Sequence, residues 1–388
     1  MPVEVGNLSR LAYVQEVAFG TTPATPTGLT VRQTGFDLSA DRNYIDNPEL
    51  RTDGMTAAGR GGALRGKGSI SGKLSYGSFD DLLAASLGNF GWFSNVIKIK
   101  PIVVDSAATL QMTAATRTIT RTAGSFTADG FVVGDFINLS GFTNAGNNGV
   151  CQLATVGTTT MTFNASPTSL TPVDEAANAA ASATLNTRPS FTFEKAHLVN
   201  GIYFPFTGCV VDGFEMSGKV NDAVDIKFDL VTKAVGNEAV SSVFTAITAA
   251  NTNPLITSWD GTVKKGGTTL ANVVGWTLKA TRNVDTAEVV GSSALYDIQP
   301  KAAKITGTME LYFDSYSLYT DMRAENDVVF QLNLGPGGTK SYTIDLTLCR
   351  IKSWKSEPKE GLMTATVEFE SFAPNAGTNT SCMITRLP

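Results

Sequence analysis

The chain has one histidine, His197, in 388 residues. Ser–His–Asp and Cys–His sites need a histidine as base, and metalloprotease motifs need two as ligands. His197 lies in the apolar–polar run Phe193–Leu198, where a packing or exposed structural role is expected. The four cysteines, Cys151, Cys209, Cys349 and Cys382, form no CxxC or Cys/His cluster, which argues against a zinc site. The adjacent carboxylates Asp80 and Asp81 suit the start of a helix better than acid–base chemistry. These absences predict a protein that is not an enzyme and holds no cofactor or metal.

Charge is also scarce. Charged residues make up 17% of the chain, against ~25% in typical soluble domains. Either other chains cover much of the surface, or the chain is rich in strands that favour Thr and Val. Net charge is −5, which argues against tight sequence-independent DNA binding. No stretch approaches the ~20 apolar residues of a membrane span. Met1 to Arg10 shows no apolar run of a signal peptide. The sequence predicts no membrane association and folding in a reducing cytoplasm.

What is present is a repeat. Gly35-Phe36-Asp37-Leu38-Ser39-Ala40-Asp41-Arg42-Asn43 matches Gly275-Trp276-Thr277-Leu278-Lys279-Ala280-Thr281-Arg282-Asn283 at an offset of 240. Ile70-Ser71-Gly72 matches Ile305-Thr306-Gly307 at 235. Cys209–Phe214 matches Cys349–Trp354 at 140, and Ile226 and Phe228 match Val367 and Phe369 at 141. The offset drops by about a hundred between residues 80 and 200, so an insertion of that length in the first copy is expected. Repeats this long indicate tandem duplication of a domain rather than a solenoid.

The expected organisation is a first domain over 1–100 and 189–240, an inserted small all-β domain over 101–188, and a second domain over 241–388. Residues 1–28 read as an extended arm, with two prolines near its end. Residues 42–68 read as a long Gly/Arg-rich loop or hairpin. Phe79–Leu87 reads as a short helix, with Ser78 as N-cap and Gly88 after its end. Tyr316–Ala324 is its counterpart. The segment Asp174–Ala183 reads as an exit linker or short helix. No lysine occurs between Lys100 and Lys195, and short alternating runs separated by turn signals predict strands there. Gly61-Gly62-Ala63-Leu64-Arg65-Gly66-Lys67 resembles a phosphate-binding loop, but Gly68 follows in place of Ser or Thr and a strand follows in place of a helix.

Leu11-Ala12-Tyr13-Val14-Gln15-Glu16-Val17-Ala18-Phe19-Gly20-Thr21-Thr22-Pro23 resembles the opening of major tail tube proteins of long-tailed (siphovirus-type) bacteriophages. The resemblance covers residues 8–88, and the repeat extends it to 190–235 and 275–372. It implies a mainly β fold: two similar β-sandwich or barrel-like domains, each with one short helix, plus the small inserted β domain. It implies stacked rings forming a tube that carries genomic DNA to the host without binding it specifically. Tape measure and tail-end proteins would be further partners. The family's rings hold six domains, so a chain with two implies a trimeric, pseudo-hexameric ring, with the insertion outside the lumen. The expected contact residues are Tyr13, Val17 and Phe19 in the arm, Arg42, Arg51, Arg60, Arg65 and Lys67 in the long loop, and Arg282 in the matching loop. A receptor- or glycan-binding adhesin is the alternative, although 105–187 offers no Trp or Tyr for stacking on sugars. A distal tail or decoration protein is another.

Overall fold

The computed structural model describes residue 3 and residues 6–92, 95–99, 109–336, 339–356, 360–374 and 380–388. The chain is mainly β. The elements that organise it are β1 (Ser9–Gln15), β2 (Gly35–Phe36), β3 (Ser39–Ile45), β4 (Arg60–Lys73), α1 (Asp80–Ser86), β5 (Ser190–His197), β6 (Ile202–Lys219) and β7 (Asp225–Thr232). They continue with β8 (Val273–Thr281), β9 (Asp285–Ala287), β10 (Asp297–Gln299), β11 (Lys304–Tyr312), α2 (Ser317–Arg323), β12 (Val328–Leu334), β13 (Ser341–Ser356) and β14 (Thr364–Ser371).

One antiparallel sheet runs the length of this set in the order β2/β3, β4, β7, β6, β8, β11, β14, β13. Side chains alternate across it as strand geometry requires. In β7, Ile226, Phe228 and Leu230 are buried while Asp225 and Lys227 face solvent. In β14, Ala365, Val367 and Phe369 point inward. Each such fully buried aliphatic or aromatic side chain contributes about 1.5–3 kcal/mol. The core is continuous beneath the sheet, from Ile70 and Phe79 through Phe214 and Leu278 to Phe330 and Val367.

Further strands close the other side of the core. β1 pairs with β5, and β5 with the first half of β6. Thr262–Lys265 pairs with β12, and β12 with the first half of β13. Residues 9–15 of the segment expected as an arm are therefore a strand paired within their own chain. α1 packs Leu82 and Leu83 into the core, as its spacing predicts. Its expected N-cap does not form: Phe79 holds the cap position and Ser78 Oγ bonds Asn251 instead.

Residues 110–185 carry a separate seven-stranded sheet with its own core of Phe126, Phe131, Ile137, Leu153 and Phe163. The 174–183 segment departs from expectation. Glu175–Asn178 and Ser182–Leu185 are strands, pairing with Leu110–Thr113 and Phe136–Ser140. Their Ala- and Asn-rich composition disfavours strands, and tertiary pairing overrides it. Phe90 stacks on Phe136 with centroids 4.2 Å apart, joining this unit to the rest.

Candidate assembly surfaces

The eight-stranded sheet ends on two edges. β2/β3 pairs only with β4, and the end of β13 (Ser353–Ser356) only with β14, among the described residues. Unpaired edges are templates for further strands, and proteins guard them with charge. The first edge carries Asp37, Asp41 and Arg42, all exposed. The second carries exposed Lys352 and Lys355. Acidic groups thus dominate one edge around Ser39 and basic groups the other.

The solvent face of the sheet is a lattice of opposite charges. Glu215 on β6 lies opposite Lys227 of β7 and Lys279 of β8. Lys73 contacts Asp225, Lys227 contacts Asp229, Lys304 contacts Glu370 and Lys355 contacts Glu368. Thr277, Thr306 and Thr308 fill the spaces between. Of these, the pairs that join two strands contribute roughly 0.2–1 kcal/mol each; Lys227–Asp229 lies within β7.

The two halves of the sheet share strand register in detail. Gly35 pairs with Ser71 and Gly275 with Glu310; Ser39 pairs with Lys67 and Lys279 with Thr306. Both long strands break register at matching places, between Val211 and Gly213 in β6 and between Ile351 and Ser353 in β13. Lys233 N bonds Gly208 O, and Phe372 N bonds Leu348 O. Cys209 and Cys349 are buried and direct Sγ to the carbonyls of Phe206 and Leu346. After α1, Gly88 has φ +80°; after α2, Glu325 has φ +52°.

Register also corrects two sequence matches. Ile70 stands opposite Phe228, whereas Ile305 stands opposite Ser371 and Met309 opposite Val367. The structural offset of β4 against β11 is 239, not 235, and that of β7 against β14 is 139, not 141. Both errors are even numbers. A slip of two or four residues keeps every side chain on its face, so an alternating pattern does not detect it.

The predicted contact residues fall into two groups. Tyr13 is buried in its own chain, edge-on to Phe191 and bonded to Asp81 at 3.0 Å. Burial raises the Tyr13 hydroxyl well above its usual range, with Asp81 adding to it. Val17 is half-buried. Phe19 is held between the Arg188 guanidinium and the Lys233 ammonium, beside Leu295 and Ile298. Arg282 is buried, and burial lowers it to about 10 against the pull of Asp212. Arg42, Arg51, Arg60, Arg65 and Lys67 are exposed on the β3–β4 hairpin. Arg51 bonds Asp53 locally, and Arg65 pairs with Glu288 of the β9–β10 hairpin.

That second hairpin lies on the first half of the sheet. Leu64 N donates to Ser293 O, Leu295 N donates to Lys233 O, and Leu295 and Ile298 are buried against Val210. The β3–β4 hairpin is longer; Leu64 and Arg65 in β4 meet the β9–β10 hairpin, while Tyr44, Ile45, Leu50 and Met55 are exposed.

Sequence reasoning missed the buried acids. Glu16 accepts from Gly20 N, Gly208 N, Ser190 Oγ and Thr192 Oγ1 at 2.6–2.9 Å. Glu194 accepts from Ser242 Oγ and Val243 N and faces Arg10. A glutamate followed by small polar residues far along the chain carries no local signal. His197 stacks edge-on to Phe204 at the end of β5. No group of His, Cys, Asp and Glu suited to a metal occurs among the described residues. None of their helices is long and apolar enough to cross a membrane.

The sequence profile of the family described as phage tail tube protein matches residues 6–371. This chain belongs to the phage tail tube protein family. It is a structural component of the virion tail, from a family that assembles multimeric tubes. No curated protein matches the chain in sequence.

Proposed function

We propose that this tail tube protein closes into rings of three chains with pseudo-sixfold symmetry, and that the rings stack into a siphovirus-type tube through which DNA is ejected. The observation that carries this is the β6–β8 pairing. Seven residue pairs, Gly213↔Thr281 to Lys219↔Gly275, join two strand sets of like register side by side within one chain. We read the sets as duplicated domains, 1–100 with 189–240 and 241–388. Matching breaks at Val211/Gly213 and Ile351/Ser353 support the duplication. A heterologous contact that repeats around an axis closes a ring.

Eight strands per chain give twenty-four in such a ring. At about 4.8 Å between strands the backbone circle is about 37 Å across, and strand tilt widens it. The charged solvent face of the sheet would line this lumen, and its alternating signs suit passage of DNA without retention. The unit 101–188 would project outward, since inside it would block the channel. The tape measure protein and tail-end proteins remain the expected partners, with assembly in the host cytoplasm.

Negative-stain microscopy of the purified protein tests the reading. Tubes or annuli with a central hole support it. A monodisperse monomer at every concentration refutes it.

A further inference from the structure

We infer that the contact between neighbouring chains is a β-ladder of fixed register, with Trp354, Lys355 and Ser356 of one copy opposite Ala40, Ser39 and Leu38 of the next. This inference rests on the ring reading above and specifies its interface residue by residue. The template is inside the chain. β6 pairs with β8 as Gly213↔Thr281, Phe214↔Ala280, Glu215↔Lys279 and Met216↔Leu278. The first member of each pair has its counterpart 140 residues on, in β13. The second has its counterpart 240 residues back, in β2/β3. The residues so reached are the two edges that lack a partner among the described residues.

Three features of these edges fit a second copy of the chain. Trp354 is only half-buried, against Phe313 and Tyr319, whereas its counterpart Phe214 is 2% exposed beneath Ala280. A neighbour's Ala40 would cover it likewise. Lys355 would stand opposite Ser39, diagonal to Asp41 on one side and Asp37 on the other. Diagonal cross-strand neighbours about 7 Å apart are within reach of a lysine. This pairing replaces the Glu215–Lys279 contact of 3.7 Å inside the chain. The third feature is the β3–β4 hairpin. Its counterpart β9–β10 buries Leu295 and Ile298 on the first half, while Tyr44, Ile45, Leu50 and Met55 have no such cover. On the neighbour they would meet the surface around Phe372, the counterpart of Lys233.

One position departs from the template. A Cβ on Gly213 would lie 2.1 Å from the carbonyl oxygen of Ala280. Its counterpart Ser353 has a Cβ, so the ladder between chains must open at its bulge and close from Trp354 onward.

The test is disulfide trapping in the full chain. Directly opposed residues have Cα atoms about 4.5–5.5 Å apart, inside the range a disulfide spans, and diagonal ones do not. The native cysteines are all buried and free. S39C combined with K355C should link chains under mild oxidation into a covalent species that stops at three chains, by non-reducing electrophoresis. D41C with K355C and D37C with K355C should link at least tenfold less. Annuli by microscopy with linking through D41C or D37C instead, or with no linking in any pair, overturn the register and leave the ring reading standing. Absence of any assembly in the parent chain overturns both.

Discussion

Arg282 donates from Nη1 to the carbonyl oxygen of Thr187 at 2.5 Å, with its guanidinium directly over Gly88. This contact ties the second half of the chain to the turn after the first half's helix. The counterpart of Arg282 is Arg42. The counterpart of Gly88 is Glu325, since Asn89 N bonds Ala84 O as Asn326 N bonds Asp321 O. In a ring, Arg42 of one chain would reach Glu325 of the next. Glu325 holds a left-handed φ of +52°, which is rare for a residue with a side chain and is found at functional positions. Exposed ion pairs contribute up to about 1 kcal/mol, and interface pairs more. R42E should raise the critical concentration for tube formation about tenfold, equivalent to ~1.4 kcal/mol per contact. R42E with E325R should recover most of it, by sedimentation of assembled tubes. A double variant no better than R42E alone counts against the pair.

The Glu16 carboxylate gathers two backbone amides and two hydroxyls inside the first half. Hydrogen bonds to a charged group contribute about 1.5–3 kcal/mol, and stranded buried donors are costly. E16A should therefore destabilise the unassembled chain by about 3 kcal/mol or more in urea unfolding. A loss under 1 kcal/mol would show that water or a shifted loop replaces the carboxylate.

Glu175 closes the loop of the inserted unit by accepting from Thr143 N, Asn144 N, Asn147 Nδ2 and Asn178 Nδ2. Burial opposes its ionisation, but these donors outweigh it and hold the carboxyl at about 2. The folded value lies below the usual ~4.3. The stabilisation is thus present above that value and is lost as pH falls through about 2. Thermal melting should show wild type better than E175Q at pH 7, with the gap closing by pH 2. A gap that does not change with pH would mean the contacts act through shape rather than charge.

Replacing residues 101–188 with a short Gly/Ser linker tests the position given to the inserted unit. Its sheet shares no strand with the main sheet. Tubes should still form, with an unchanged lumen and a smaller outer diameter in electron micrographs. Loss of all tubes, with the remaining chain still folded by circular dichroism, would place this unit in the interface.

Much of the fold was legible because the sheet alternates strictly. Ile226, Phe228 and Leu230 announce β7, and Cys209–Phe214 against Cys349–Trp354 gives an offset that agrees with the β6 and β13 bulges. The same alternation hid the slips of two and four residues in β14 and β11. Tyr13 was read as free for a neighbour because its strand partner, β5, lies far away in sequence. Glu16 was invisible for a like reason: its donors at Ser190, Thr192 and Gly208 follow some 170 residues later or more. The hairpin arginines were expected to contact a neighbouring chain, and they are exposed on the β3–β4 hairpin. The burial of Arg282 was not legible, because it depends on Thr187 and Gly88.

The most direct measurement is a cryo-EM reconstruction of assembled tubes, counting chains in one annulus. Three chains, with β13 of each continuing into β3 of the next around a single closed sheet, is the expected result. Six chains per annulus, or a wall in which those two edges face solvent, would contradict it.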